Sequence, residues 1–208
     1  AFAPWRAGAH MSCALALHSC SPTLGLALLD AGQCRSLAHP LGRQLANGLF
    51  EAVEELLPAA RWPELQWLAV ATGPGGFTGT RLTVVLARSV AQQLGCPLWG
   101  WGSFELIARR RQQELQGLEA CWIGQTLPRR GVVAGRYSWQ SQAVVELEAP
   151  RLYRQGWSEL AGPGWEAEMD AAADAVQLLE LGQAAAEANQ PGPWRPVLPI
   201  YPTSPVQS

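Results

Sequence analysis

The chain has 208 residues, of which 48% are hydrophobic, and a formal net charge of −2 at pH 7. This is enough apolar material for one compact domain or two small lobes, and no stretch approaches the roughly 18 apolar residues of a membrane span, so we expect a cytoplasmic protein without membrane contact. The slightly acidic balance argues against a chain that binds nucleic acid by itself, since such proteins usually have a pI above about 9.

The first half of the sequence predicts strands and helices in a readable order. Three short strands come first, as an antiparallel meander at 13–19, 24–29 and 33–39. Leucines and valines at helical spacing then predict an amphipathic helix over 42–57. The elements that follow are a strand at 67–71, a glycine-rich turn, a helix from about residue 80 to 94, a strand at 97–101, and a helix that Ser103 caps and that runs to about residue 116.

The second half is less regular. It has three β-like runs within 119–148, an Ala/Leu/Glu-rich helix at 169–188, and a tail from residue 190 whose six prolines exclude regular structure throughout. We therefore predict two lobes, 11–102 and a smaller, diverged lobe at 103–208 that includes the Pro-rich tail. Met11 is a natural start, so residues 1–10 are interpreted as an N-terminal extension or an added remnant outside the fold.

The composition also excludes several kinds of chemistry. The chain has no lysine, which excludes a P-loop lysine, a Schiff-base lysine and a lysine general base. The five cysteines and three histidines are scattered without zinc-ligand or redox spacing, and the three aspartates are not placed where Mg²⁺ chemistry needs them. We therefore predict no metal site and no catalytic residue.

The turn between the strand at 67–71 and the next helix is dense in glycine. Glycine allows positive φ and a close approach of the backbone, and amides at a helix start can meet an anion. The alternative is a structural turn in which glycine permits tight strand–helix packing. The candidate residues in this turn are Gly73, Pro74, Gly75, Gly76, Phe77, Thr78, Gly79 and Arg81.

As a whole string, this turn resembles the GPGSFTGxR signature of the TsaB (YeaZ) family. Seven of its eight specified positions match, and Gly76 stands where the family has Ser. The resemblance covers residues 11–116 well and the remainder loosely. It implies the two-lobed α/β fold of actin, Hsp70 and sugar kinases (ASKHA, ribonuclease H-like), whose element order agrees with the predicted order βββαβαβα.

The sequence departs from the family at several positions. His18-Ser19 stands where the first strand of the family ends in Asp-Thr, and Leu127 and Val132 replace the Asp and Glu of its DARRGEVY segment. These departures argue against the nucleotide site of other members. We therefore expect no cofactor, although ATP or ADP at a subunit boundary stays open.

The resemblance implies a non-catalytic scaffold subunit of the bacterial complex that makes N6-threonylcarbamoyladenosine at position 37 of tRNA. Such a subunit pairs with a catalytic TsaD-type paralogue, works with a TsaE-type ATPase, meets tRNA only through the complex, and forms a homodimer in isolation. The pairing uses the helices on either side of the strand at 67–71, and the partner-binding candidates are Leu45, Leu49, Val53, Leu82, Val85 and Leu86.

The helix after the turn favours the same interpretation independently. Its apolar residues surround most of its circumference, as in a helix buried on all sides. It therefore needs either a partner or cover from the second lobe. Arg81 is expected to have a structural or interface role, and Arg109–Arg111 to form a solvated helix face.

Other functions remain as alternatives. One is an ATP-dependent small-molecule kinase of the same fold, which needs carboxylates at strand ends where His18 and Leu127 stand. Another is a glycopeptidase-like peptidase, for which we find neither a GxSxG elbow nor a positioned Cys/His pair. A third is a diverged scaffold that has lost part of its complex.

Overall fold

The computed structural model describes residues 13–202, and its first five strands form one mixed sheet in the order β3-β2-β1-β4-β5. The three antiparallel strands are β1 (Cys13–His18), β2 (Leu24–Asp30) and β3 (Gln33–His39), and the two parallel ones are β4 (Trp67–Ala71) and β5 (Leu98–Trp101). β1 and β4 are buried along their whole length, which accounts for their unbroken apolar composition. The predicted meander is confirmed, while the predicted extension at 1–10 lies outside the described residues.

Helices cover both faces of this sheet. On one face, Leu15, Leu17, Leu68 and Val70 pack in one core with α1 (Leu45–Leu56) and α2 (Phe77–Leu94). On the other face, alternate residues of the same strands pack against α5 (Ala171–Glu187), and most of these are small: Ala14, Ala16, Ala27, Trp67, Ala69 and Ala71. The period of two in a strand separates the two sets.

The second sheet has the strand order β8-β7-β6-β9. Its strands are β6 (Cys121–Leu127), β7 (Gly131–Gln140), β8 (Ala143–Tyr153) and β9 (Gly164–Glu166), and α3 (Ser103–Arg110) and α4 (Gln112–Gln116) pack on it. Phe104 and Ile107 of α3 lie in its core beside the buried Tyr137. The three β-like runs predicted from the sequence are confirmed as strands, with β8 longer than its run.

The chain returns to the first sheet after completing the second. α5 packs against β1, β2 and β4, and the tail then runs beside β5, where the Leu98 amide donates to the Gly192 carbonyl at 2.9 Å. Residues 188–202 form no helix or strand, in agreement with their prolines. The boundary predicted at residue 102 lies between the strands of the two sheets. α5 and the tail follow this boundary in sequence, but they pack on the first sheet and complete the first lobe.

Two predicted helix starts differ from the structure. α2 begins at Phe77 and not near residue 80, so the end of the glycine-rich turn is already helical. Ser103 does not cap α3: Gly102 is the cap residue, and the Ser103 hydroxyl donates to the Pro74 carbonyl. The single helix predicted to run to residue 116 is instead two helices, with a break at Arg111.

Within residues 13–202, no helix has the length and apolarity that a membrane crossing requires.

Candidate functional site

The glycine-rich turn packs directly on the end of β1. A Cβ atom on Gly75 would lie 2.2 Å from the Cys20 carbonyl oxygen, and one on Gly79 would lie 2.7 Å from that of Ser19. The Gly76 amide donates to the Cys20 carbonyl at 3.0 Å. Glycine is therefore required at positions 75 and 79 because two pieces of backbone are in contact there.

The other side of the turn bonds to the start of α3 and to the tail. The Ser103 amide donates to the Gly73 carbonyl at 2.8 Å, and the Ile200 amide donates to the Thr72 carbonyl at 2.7 Å. Gly73 has a φ of 100°, and the Gly73–Pro74 peptide is cis. The turn is thus held between β1, α3 and the tail.

Buried hydroxyl groups join β1 to α2 beside the turn. The Ser19 and Thr83 hydroxyl oxygens are 2.7 Å apart, and the Thr80 hydroxyl donates to the Gly76 carbonyl at 3.0 Å. All three side chains are buried. These contacts fix the direction in which α2 leaves the sheet.

The predicted turn residues differ in exposure. Gly73 and Pro74 are buried and Gly75 and Gly79 are half-buried, whereas Gly76, Thr78 and Arg81 are exposed. Phe77 is the first residue of α2. The exposed residues lie at the start of α2, on the outer surface of the first lobe.

The six predicted partner-binding residues fall into two groups. Leu45, Leu49 and Val53 are buried in the core of the first lobe, so they stand behind the surface of α1. On α2, Leu82 and Leu86 are half-buried and Val85 is 58% exposed. Of the six, only the α2 residues are accessible at the surface, and the role of all six in binding stays a prediction.

The sequence places apolar residues around most of the circumference of α2, which predicts cover by a partner or by the second lobe, but one side of the helix is exposed. Arg81, Val85, Ser89, Gln92 and Gln93 form an exposed side, while Val84, Ala87 and Ala91 face the core. The helix packs against the first sheet and α1. Its exposed side is therefore polar except around Val85.

The sequence interpretation missed Phe50. This residue is 55% exposed on α1, and its ring stacks on Trp62 with centroids 6.2 Å apart. Phe50 lies next to Leu49 but off the buried stripe, among the exposed Glu51, Glu54 and Glu55. The sequence did contain a signal for this surface, since Phe50 is a large apolar residue outside the buried stripe of α1. We call Phe50, Leu82, Val85 and Leu86 the helix-pair face.

His18, at the end of β1, belongs to a buried charged cluster. Its Nε2 lies 3.7 Å from the Asp174 carboxylate, and within the described residues neither ring nitrogen has a hydrogen-bond partner. Burial, and to a smaller extent the Arg110 charge, lowers the pKa of His18 to about 4. The imidazole is therefore neutral at neutral pH.

Asp174 is bound on its other side by Arg110. The Arg110 Nε lies 2.7 Å from one carboxylate oxygen, and the Asp170 amide donates to the other at 3.2 Å. Burial raises the pKa of Asp174, while the bond from Arg110 opposes that rise. The expectation of a solvated face at Arg109–Arg111 is wrong, because each of these arginines has a carboxylate partner and is half-buried.

The described residues offer few metal ligands in one place. Across residues 13–202, no three His, Cys, Asp or Glu side chains are grouped so that they could hold a metal ion. His18 and Asp174 are a pair without a third ligand. The absence of a metal site stays a prediction, and the pair is a neutral imidazole beside the Arg110–Asp174 ion pair.

Comparison with known proteins identifies the fold. No protein-family model matches the sequence, and no curated protein matches it. Among solved structures, the chain is similar to two from Pseudomonas aeruginosa. One is YeaZ, at 23% identity over 92% of this chain. The other is a protein described as uncharacterized with similarity to peptidase YEAZ, at 22% identity over 93% of this chain. Both give a TM-score of 0.72 and are covered over their whole length. The chain therefore has the fold of these two Pseudomonas aeruginosa proteins.

Proposed function

We propose that this chain is a member of the TsaB (YeaZ) family and acts as a non-catalytic scaffold in the complex that makes N6-threonylcarbamoyladenosine on tRNA. It pairs through the helix-pair face with a catalytic TsaD-type paralogue. In this proposal the two sheets are the two lobes of the actin/Hsp70/sugar-kinase (ASKHA) fold. The observation that carries the proposal is that Phe50 and Val85, on adjacent helices beside the family's signature turn, are both more than half exposed.

The helix-pair face has the character of a protein-binding surface. Large apolar side chains exposed together are usually covered by a partner, with polar residues around them. Here Phe50 and Val85 have the exposed Glu51 and Glu54 of α1 and Arg81 of α2 as neighbours in sequence. The same face accounts for the expected homodimer, since two copies can cover each other when the larger partner is absent.

The turn supports this role by positioning α2. The contacts of Gly75 and Gly79 with β1 fix where the helix starts, and the Ser19–Thr83 hydroxyl pair fixes its first turns. A rigid start lets the exposed side of α2 meet a partner without reordering. In the complex, the paralogue performs the transfer, a TsaE-type ATPase joins it, and these partners hold the tRNA.

The two enzymatic alternatives find no supporting observation. A peptidase with a cysteine nucleophile needs a lowered thiol pKa, but burial raises the pKa of Cys13, Cys20 and Cys121 to about 11. A kinase of this fold needs carboxylates where β1 and the second-lobe hairpin end, and His18 and Leu127 occupy those positions. The word peptidase describes a protein to which one of the two structural neighbours is similar.

Size-exclusion chromatography with light scattering tests the proposal. The protein is run alone and mixed with the TsaD-type paralogue of the same genome, and we expect a dimer that converts to a one-to-one heterodimer. Val85→Glu places a charge in the apolar face and should weaken binding at least about tenfold, which is about 1.4 kcal/mol. Phe50→Ser should act in the same direction.

Leu147→Glu is the matched control, because Leu147 is an exposed apolar residue on β8 of the other lobe. It should bind like the unchanged protein. If the folded protein does not bind the paralogue, the scaffold function is wrong. If Val85→Glu and Leu147→Glu weaken binding equally, the protein still pairs with the paralogue, but the helix-pair face is not the surface that it uses.

A further inference from the structure

The chain crosses between its two sheets twice, and Arg110, in the first crossing, bonds to the second crossing and to α5. The outward crossing contains α3, and the return crossing is residues 167–170, between β9 and α5. From α3, the Arg110 side chain lies 2.7 Å from the Asp174 carboxylate through Nε and donates to the Glu168 carbonyl at 2.6 Å through Nη2. One guanidinium group thus ties the two connections together.

The neighbouring arginine makes no such link. Arg109 and Arg110 are on the same helix and are both 24% exposed, but Arg109 pairs with Glu105 of α3 itself, at 2.9 Å. Asp174, the partner of Arg110, is fully buried. Arg109 is therefore a natural control for the charge and exposure of Arg110.

Apolar contacts beside Arg110 also join the two cores. Leu106 of α3 packs in the core of the first lobe, while Phe104 and Ile107 pack in that of the second. Met169, in the return crossing, lies against both cores. Apolar contacts of this kind are non-directional, so they hold the lobes together without fixing their angle as strictly as charged hydrogen bonds do.

His18 faces the opposite side of the same carboxylate. The groups around it are Asp174 from α5, Asp170 just before α5, and Arg110 from α3. If His18 gains a proton, Asp174 has two cationic neighbours that repel each other. His18 is completely buried and cannot leave, whereas Arg110 is partly exposed and can move into water.

We propose that the Arg110–Asp174 pair is a proton-sensitive clamp between the two lobes. In the neutral state of His18, Arg110 holds Asp174 and Glu168, and the lobes have a fixed relative orientation. When the buried His18–Asp174 pair takes up a proton from solvent, Asp174 loses its hold on Arg110, because the imidazolium competes for the carboxylate or the carboxyl group itself becomes neutral, and Arg110 is released. The two lobes then rotate about the contacts of Leu106 and Met169. This clamp acts within the isolated chain, so it stands or falls separately from partner binding.

Distances between spin labels test the clamp. One label is attached to the native Cys34, exposed on β3, and the other to a cysteine introduced as Leu147→Cys on β8, with Cys96→Ser in the background. The labelled protein is diluted with unlabelled protein, and double electron–electron resonance is recorded at neutral pH and near pH 4, the pKa of His18. Far-UV circular dichroism confirms at each pH that the chain stays folded.

We expect one narrow distance distribution at neutral pH and a broader or shifted one in acid. Arg110→Gln should give the broad distribution already at neutral pH, while Arg109→Gln should match the unchanged protein. Asp174→Asn should give the broad distribution at neutral pH and change little in acid, because a carboxamide has no charge to hold Arg110 and no proton to take up. If Arg110→Gln does not fold, because it leaves Asp174 unpaired, the double variant Arg110→Gln/Asp174→Asn removes both charges and should still be broad at neutral pH.

Two results would overturn the clamp. The first is that Arg110→Gln, or the double variant in its place, gives the same distance distribution as Arg109→Gln. The second is that the unchanged protein, while still folded, keeps its narrow distance distribution near pH 4.

Discussion

At the scale of single residues, two adjacent glycines in the turn have opposite surroundings. A Cβ on Gly75 would meet the Cys20 backbone, whereas one on Gly76 would meet nothing within 4 Å. We expect Gly75→Ser to lower the free energy of unfolding by about 2–3 kcal/mol, through overpacking against backbone. Gly76→Ser should change it by a few tenths of a kcal/mol, since Gly76 caps α2 and serine is a good cap residue.

Urea denaturation of the two variants checks this prediction, because the substitution is the same at neighbouring positions. Similar losses of stability in both variants would show that contact with β1 does not explain the glycine at position 75.

His18 gives a prediction about pH. Burial lowers its pKa from 6.5 to about 4, so the unfolded chain binds this proton more readily than the folded chain. Its contribution to stability is complete above about pH 6.5 and is lost as the pH falls towards 4, by up to about 3 kcal/mol. Asp174, whose pKa is raised, gives the opposite slope and offsets part of this loss.

His18→Leu removes the first effect and keeps the second. Denaturation at several pH values should therefore show that the variant loses less stability than the unchanged protein between about pH 6.5 and 4. Parallel pH profiles for the two proteins would contradict a histidine that is buried in its neutral form.

Two sets of contacts could not be predicted from the sequence, because they join residues that are far apart in it: those between His18 and Asp174, and those of the glycine-rich turn across the fold. His18 and Asp174 belong to a strand and a helix at opposite ends of the described chain, and each has an ordinary local pattern. The glycine-rich turn, in contrast, was evident because its requirement is local: backbone conformation and the start of a helix. Its partners across the fold, Cys20 and Ile200, became known only from the structure.

At the scale of elements, α5 shows how a helix approaches the small side chains of the first sheet. A Cβ on Gly182 would lie 2.3 Å from the Trp67 ring. In an isolated helix, replacing glycine by alanine stabilises by about 1 kcal/mol. We expect Gly182→Ala to destabilise the protein instead, by about 1–3 kcal/mol, because α5 or Trp67 must move.

Chemical denaturation measures whether Gly182→Ala raises or lowers the stability of the protein. Gln183→Ala, at the exposed neighbouring position, is the control and should be close to neutral. An increase in the denaturation midpoint for Gly182→Ala would mean that α5 is not packed against Trp67 as described.

The helices and strands of the first half were predicted well because their patterns are local: short apolar runs bounded by turns in the meander and an apolar stripe in α1. The errors occurred at boundaries. Ser103 is a frequent cap residue, but its hydroxyl bonds to Pro74 from the other side of the turn, a contact that no local pattern records. The break at Arg111 likewise coincides with its contact with Trp165, at 3.9 Å from the ring centroid, in the second lobe.

At the scale of the whole molecule, the first lobe is assembled from both ends of the described chain. α5 covers β1, β2 and β4 on one face of the first sheet, although β5 ends at Trp101 and α5 begins at Ala171. A fragment of residues 11–102 should therefore fail to fold, since Ala14, Ala16, Ala69 and Trp67 would be exposed to water. The same fragment joined by a flexible linker to residues 167–202 should fold.

Circular dichroism with thermal unfolding compares the two fragments. A cooperative unfolding transition in the fragment of residues 11–102 alone would show that the first lobe does not need α5, and would support a domain boundary at residue 102.

The late position of α5 also has a consequence for synthesis on the ribosome. The first sheet is translated long before the helix that covers its alanine-rich face, and the entire second sheet is translated between them. During that interval the nascent chain presents an uncovered apolar surface with adjacent strand edges, which is the kind of surface that trigger-factor-like chaperones bind and that promotes aggregation. Folding of the first lobe is thus completed only after α5 has been translated, whereas the second sheet, whose strands are close in sequence, can form before that.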